Sequence, residues 1–112
     1  MRKEITIGEE TVEMVANAAT PFVFLKIFKD DLLKGMQKDP EDFLRYEQLA
    51  FVMAKQADTP TAELLAGKIT EEDFIDWLSE YEAMDMVDAA NEAVSLYLSS
   101  KKGQSVPKTP AD

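Results

Sequence analysis

The pattern of apolar and polar positions divides the chain into a short hairpin followed by a series of helices. Residues 3–16 alternate between the two classes around a turn at Gly8-Glu9-Glu10, and this period of two predicts a β-hairpin. A two-stranded sheet is marginal on its own, so we expect it to pack on helices. Its outer edge would remain open to interaction.

Residues 17–28 contain the most apolar stretch and predict a central helix. Thr20 is expected to be the N-cap, and Pro21 suits the first helical position, where a missing N–H costs nothing. From Phe22 to Phe28 only Lys26 is polar. We therefore expect this helix to be covered on several sides, as core rather than as a ligand pocket.

Residues typical of helix starts and stops predict two further helices after this one. Residues 32–38 predict a second short helix, although one long bent helix over residues 21–38 fits as well. Gly35 is expected to weaken it by about 1 kcal/mol relative to alanine. Asp39 and Pro40 then predict the start of a long helix that ends near Ala57.

Further helical segments follow Pro60. Residues 61–66 predict a short helical piece ended by Gly67, and Thr70 with Asp73 has the spacing of a capping box. Residues 82–99 predict a last helix, or a continuation of the previous one, with Gly103 at its stop. Met84, Val87, Val94 and Leu98 are expected to lie along its inward side, and the stripe is expected to be widened by Ala83, Met86, Ala90, Ala93 and Tyr97.

These elements together predict a mainly α (α+β) fold. A small N-terminal β-hairpin packs on a compact bundle of about four to five helices. We expect one globular domain over residues 1–100, followed by a flexible basic tail over residues 101–112.

Composition restricts the chemistry. The chain has no cysteine and no histidine, so it lacks disulfides, thiolate metal sites and the usual general base. With 22 acidic and 12 basic residues, its net charge of −10 repels phosphates and anionic lipids. We therefore expect no nucleic acid or membrane partner, no cofactor and no catalytic activity. The sequence also lacks a signal-peptide pattern and an apolar run of membrane-span length, which predicts a soluble cytosolic protein.

Residues 67–74 match the second half of a calcium-binding EF-hand loop. Calcium would also need oxygen ligands at the first, third and fifth loop positions. Those positions fall on Ala62, Leu64 and Ala66, whose side chains have no oxygen. A glycine stop followed by a capped helix accounts for the same residues.

With catalysis, calcium binding, nucleic acids and membranes all disfavoured, we expect this protein to act by binding another protein. Methionine gives an adaptable apolar surface, and large aromatic side chains often anchor interfaces. The predicted partner-binding residues are Trp77, Tyr81, Met84, Met86 and Tyr97. Core packing is the alternative explanation for the same side chains.

The order of the segments resembles a known family. The short hairpin is followed by Asn17-Ala18-Ala19-Thr20-Pro21, an aromatic helix ending in Ile27-Phe28, and Asp31-Leu32-Leu33-Lys34. This series, continued by residues 47–55, 74–78 and 84–85, resembles the tail assembly chaperones of long-tailed bacteriophages and prophages of Gram-positive bacteria. Many members have glycine directly after the Ile-Phe pair, where this chain has Lys29.

The resemblance implies a non-enzymatic role in the host bacterial cytoplasm. Such chaperones coat the tape-measure protein, recruit tail tube subunits, and are absent from the finished virion. The tape-measure protein is thus the expected partner, with the major tail tube protein as a second one and self-association left open. The alternative is a small helical regulatory or adaptor protein that responds to calcium or another ligand.

Overall fold

The computed structural model describes residues 1–105, with side chains through Ser99, as a β-hairpin and six helices. The strands are β1 (Arg2–Ile7) and β2 (Glu10–Val15). The helices are α1 (Thr20–Phe28), α2 (Leu32–Lys38), α3 (Phe43–Asp58), α4 (Thr61–Leu65), α5 (Glu71–Leu78) and α6 (Ala83–Ser105). The predicted α+β class is confirmed. Six helices are present rather than the four to five expected. The two pairs that could each have formed one continuous helix, α1 with α2 and α5 with α6, are separate.

The hairpin follows the predicted alternation. β1 and β2 are antiparallel, with Ile5 opposite Val12 and Ile7 opposite Glu10. Gly8 opens the two-residue turn with a φ of +66°, a left-handed value that favours glycine. Ile5, Ile7 and Met14 are buried, and through this face β1 packs on α6 and β2 on α3.

The helix that is covered on all sides is α3, and this corrects the prediction for residues 17–28. Six consecutive residues of α3, Leu49–Ala54, are buried, which is more than one full turn. α3 packs against β2 and against every other helix. In α1, by contrast, Val23, Phe24 and Ile27 are buried while Phe22 and Leu25 are exposed.

The start of α1 also differs from the prediction, because Thr20 is not its N-cap. Ala19 holds that position, and the Thr20 side chain is fully buried. Its hydroxyl accepts a hydrogen bond from the Asn17 N–H (3.0 Å) and donates one to Gln56 Oε1 (2.7 Å). A buried hydroxyl needs such partners, and the bond to Gln56 ties α1 to the last turns of α3.

The chain breaks sharply between α1 and α2, which settles the choice between one bent helix and two. Lys29 has φ 57° and ψ 37°, and its N–H donates to the Leu25 carbonyl at 2.8 Å. A left-handed residue commonly ends a helix, although glycine usually occupies it. Asp31 then caps α2 by accepting from the Lys34 N–H at 3.0 Å.

The long helix α3 begins at Phe43, three residues after Pro40, so its predicted start is wrong. Asp39 is the C-cap of α2, and Asp42 precedes α3. The Asp42 carboxylate binds Arg45 at 3.0 Å rather than capping a backbone amide. Arg45 also donates to the Gly35 carbonyl (3.2 Å), so its guanidinium lies directly against α2.

The predictions for α4 and α5 are confirmed. Gly67 follows α4 with a φ of +84°, a left-handed value. Thr70 and Asp73 form the expected capping box, in which the Thr70 N–H donates to Asp73 Oδ2 at 2.8 Å. This stretch therefore has the glycine stop and capped helix that explain residues 67–74 without calcium.

The last helix differs from the prediction in its end and in part of its buried face. α6 is separate from α5 and extends to Ser105, past the expected end near Ser99 and the expected stop at Gly103. Met84 and Leu98 are exposed, and Val87 and Val94 are half-buried. Of the residues expected to widen the stripe, Ala83 is exposed and the others are buried, and with Ala89 and Leu96 they form the buried face: Met86, Ala89, Ala90, Ala93, Leu96 and Tyr97. The rest of the predicted tail, residues 106–112, lies outside the described residues.

Replacing Lys29 by glycine is expected to stabilise the fold. A left-handed conformation costs a lysine about 1–2 kcal/mol, and part of this is offset by the larger chain entropy that glycine loses. We expect Lys29→Gly to raise the free energy of unfolding in urea by about 0.5–1 kcal/mol. Lys29→Ala should give no gain, and Lys26→Gly, inside α1, should lower stability. A lower free energy of unfolding for Lys29→Gly than for the wild type would contradict this explanation.

Gly35 should resist replacement by alanine, although alanine is the better helix former. A Cβ there would lie 2.4 Å from Arg45 Nε. The guanidinium would then lose its hydrogen bonds to the Gly35 carbonyl (3.2 Å) and to the Asp30 carboxylate (3.0 Å). We expect Gly35→Ala to cost about 1 kcal/mol in the wild type and to gain about 1 kcal/mol in an Arg45→Ala background. Urea denaturation of the wild type, the two single variants and the double variant measures both effects. If Gly35→Ala changes the free energy of unfolding in the same direction in both backgrounds, the explanation is wrong.

Candidate functional site

An apolar groove lies on the surface between α1 and α4. It is lined by Phe22, Leu25, Lys26, Lys29 and Leu65, and its volume is about 440 Å³. Phe22 is 66% exposed, Leu25 49% and Leu65 40%. We call this surface the α1–α4 groove. Adjacent apolar side chains left in contact with water are typical of surfaces that bind another molecule.

The α1 residues of the groove follow one face of the helix. Phe22, Leu25 and Lys26 are spaced at i, i+3 and i+4, which places them on one side, and Lys29 follows as the left-handed C-cap of the helix. The prediction missed this face because nearly every residue of α1 is apolar. The signal that could have revealed it is Lys26, because the single charged position of an apolar helix marks the side that faces water.

The charged side chains of the α1–α4 groove are both lysines. Lys26 Cε lies 3.5 Å from the place of a Cβ at Gly67, so its stem lies beside the end of α4. Lys29 Nζ donates to the carbonyl of Lys26, in the last turn of α1, at 3.0 Å. Among the side chains that the structure describes, neither ammonium group is paired with a carboxylate. The groove is therefore basic on an acidic protein.

The structure separates the five predicted partner-binding residues. Trp77 and Tyr81 are half-buried with ring centroids 5.6 Å apart. Met84 is 70% exposed, whereas Met86 and Tyr97 are part of the hydrophobic core, and burial raises the pKa of Tyr97. A partner can therefore reach Trp77, Tyr81 and Met84 in this conformation but not Met86 or Tyr97.

Trp77 and Tyr81 form the outer end of a cluster of aromatic rings. Phe51 is 5.5 Å from both Phe74 and Trp77, and Phe28 is 5.2 Å from Phe74. These ring contacts link α1, α3 and α5 in the core and hold Trp77 in place. Packing therefore explains Trp77 without requiring a partner.

A second cleft, of about 500 Å³, lies between the hairpin turn and the start of α6. Its rim carries the carboxylates of Glu9, Glu10, Glu80, Glu82 and Asp85. Tyr81 donates to Glu10 Oε1 at 2.6 Å, which ties the hairpin turn to the α5–α6 connection. Burial, this hydrogen bond and the charges of Glu10 and Glu80 together raise the pKa of Tyr81. We call this surface the acidic cleft.

Among the described residues, no group of three or more aspartate or glutamate side chains is placed to hold a metal ion. In the same part of the chain, none of the helices combines the length and the apolar character needed to cross a membrane. Comparisons of the chain with protein-family models, curated proteins and solved structures find no match.

The hydrogen bond between Tyr81 and Glu10 should contribute measurably to stability. We expect Tyr81→Phe to lower the free energy of unfolding at neutral pH by about 0.5–1 kcal/mol, as for a partly exposed hydrogen bond. Glu10→Gln keeps an acceptor oxygen and should cost less. Urea denaturation measures both variants, and an unchanged Tyr81→Phe would show that the bond contributes nothing.

The same bond should make stability fall at high pH. The folded state holds the Tyr81 proton more tightly than the unfolded chain, because the pKa of Tyr81 is raised. Its contribution is therefore complete below about pH 10, the pKa of an unfolded tyrosine, and is lost as the pH rises further. The difference in stability between wild type and Tyr81→Phe should shrink above about pH 10.

Proposed function

We propose that this protein is a phage tail assembly chaperone that binds the tape-measure protein. In this role it keeps the tape measure soluble in the host cytoplasm and recruits tail tube subunits, and it leaves before the virion is complete. It acts by reversible binding and not by catalysis. The observation that carries the proposal is the α1–α4 groove, which no other described residue covers, on a protein of net charge −10.

The physical requirement on such a chaperone has two parts. A tape measure exposes long apolar helical stripes that aggregate unless another protein covers them, so the chaperone needs an exposed apolar surface. Phe22, Leu25 and Leu65 supply one. The complex must also stay dispersed, and a strongly acidic body provides repulsion between complexes.

Co-expression tests this proposal directly. The tape-measure protein encoded next to this chain is produced alone, with this chain, or with an unrelated acidic protein of similar size and charge. We expect soluble tape measure only with this chain, and we expect the two to purify together. If the tape measure is equally soluble in all three cases, the protein is not its chaperone.

The calcium-responsive regulator remains a separate hypothesis without structural support. The segment that suggested it, residues 67–74, ends α4 and caps α5, and the loop positions on Ala62, Leu64 and Ala66 provide no side-chain oxygen. Calorimetric titration with calcium should therefore release no heat of binding. A micromolar calcium site would favour the regulator over the chaperone.

A further inference from the structure

The charge of the α1–α4 groove is opposite to that of the molecule. The chain carries 22 acidic and 12 basic residues, yet Lys26 and Lys29 are the charged residues that line this groove. Lys26 lies on the same face of α1 as Phe22 and Leu25, and Lys29 is the C-cap residue directly after that helix. An apolar strip is therefore bordered by positive charge that lacks a carboxylate partner among the described side chains.

We propose that the α1–α4 groove binds an amphipathic helix of the partner protein whose apolar stripe is flanked by aspartate or glutamate. This inference rests on the proposed chaperone function and adds the site and the chemistry of the bound segment. Carboxylates beside the stripe would pair with Lys26 and Lys29 while apolar side chains cover Phe22, Leu25 and Leu65.

The walls of the groove favour a helix over an extended strand. Both walls are helices, and helix backbone groups bond within their own helix, so they offer no ladder to an added strand. A bound helix satisfies its own backbone and needs only side-chain contacts. α1 has nine residues and is therefore about 14 Å long, which matches two to three turns of a partner helix with apolar anchors at i, i+4 and i+7.

The flanking charge distinguishes this proposal from general electrostatics. The net charge of −10 alone favours a basic segment, because opposite charges attract at long range. The local lysines favour an acidic segment, because contacts within about 8 Å escape screening at physiological salt. The two explanations predict opposite preferences, so one comparison decides between them.

The test uses two designed peptides and the full chain labelled with ¹⁵N. Each peptide is an alanine-rich helix of about 18 residues with one stripe of leucines. One carries glutamate on both sides of the stripe, and the other carries lysine at the same positions. At physiological salt we expect the glutamate peptide to bind about fivefold more tightly or better, which two exposed ion pairs can supply. Amide shifts should cluster on α1 and α4.

Charge-reversal variants test the role of the two lysines. Lys26→Glu with Lys29→Glu should invert the preference of the chain for the two peptides. The matched control, Lys34→Glu with Lys38→Glu, makes the same charge change on exposed residues of α2 that do not line the groove. It should leave the preference unchanged. Lys26→Glu alone keeps the end of α1 intact and should shift the preference the same way if the double variant does not fold.

Several outcomes would overturn the proposal. Tighter binding of the lysine peptide, shifts that cluster on the acidic cleft, or no binding of either peptide would each refute it. Shifts on α1 and α4 that depend on protein concentration without peptide would instead assign the groove to a second copy of this chain. If Phe22→Ser with Leu25→Ser still keeps the tape measure soluble on co-expression, the chaperone proposal stands and the groove is not its binding site.

Discussion

The burial of residues 49–54 on every side of α3 is the constraint on which the rest of the structure depends. Leu49, Phe51, Val52 and Met53 are fully buried, and burying a side chain of this size contributes about 1.5–3 kcal/mol. Together they supply a gain comparable with the whole net stability of a small domain. Each remaining helix, and strand β2, owes part of its position to contact with α3.

The position of α1 follows from that core and determines the shape of the α1–α4 groove. Val23, Phe24 and Ile27 are buried on the inner face of α1, and the hydroxyl of Thr20 binds Gln56 of α3. With its inner face and its first residue held, α1 keeps Phe22 and Leu25 on its outer face. A preformed surface of this kind binds with a smaller entropy loss than one that must order first.

The features that could be predicted from the sequence are those set by local chemistry. The hairpin alternation, the glycine at 67 and the capping box of Thr70 and Asp73 each depend on residues a few positions apart. The central helix could not be identified in this way. α1 is more apolar than α3 on average, yet α3 is surrounded, because burial depends on which elements pack around a helix and not on its composition.

Contacts between distant residues explain the other differences. Gly35 looked like a weak point in α2, but it leaves room for the guanidinium of Arg45, ten residues later. Lys29 takes a left-handed conformation that composition does not suggest, because α1 has to end where α2 turns back onto α3. The face of α6 was predicted only in part: Met86, Ala90, Ala93 and Tyr97 are buried as expected, but Met84 and Leu98 are not. α6 packs on both β1 and α3 and buries its small residues Ala89 and Ala93, whereas the larger Met84 is exposed.

The candidate site was not predicted from the sequence, because its apolar residues were expected to lie in the core. Phe22 and Leu25 have the character of buried side chains, and only their place on the outer face of α1 makes them available to a partner. The groove they form is small, with three exposed apolar side chains and two lysines. Rim charges of this kind contribute about 0.2–1 kcal/mol each, so a single groove would bind weakly. Weak binding at each groove suits the proposed role, because a chaperone that must be displaced by tail tube subunits has to dissociate readily from each segment that it covers.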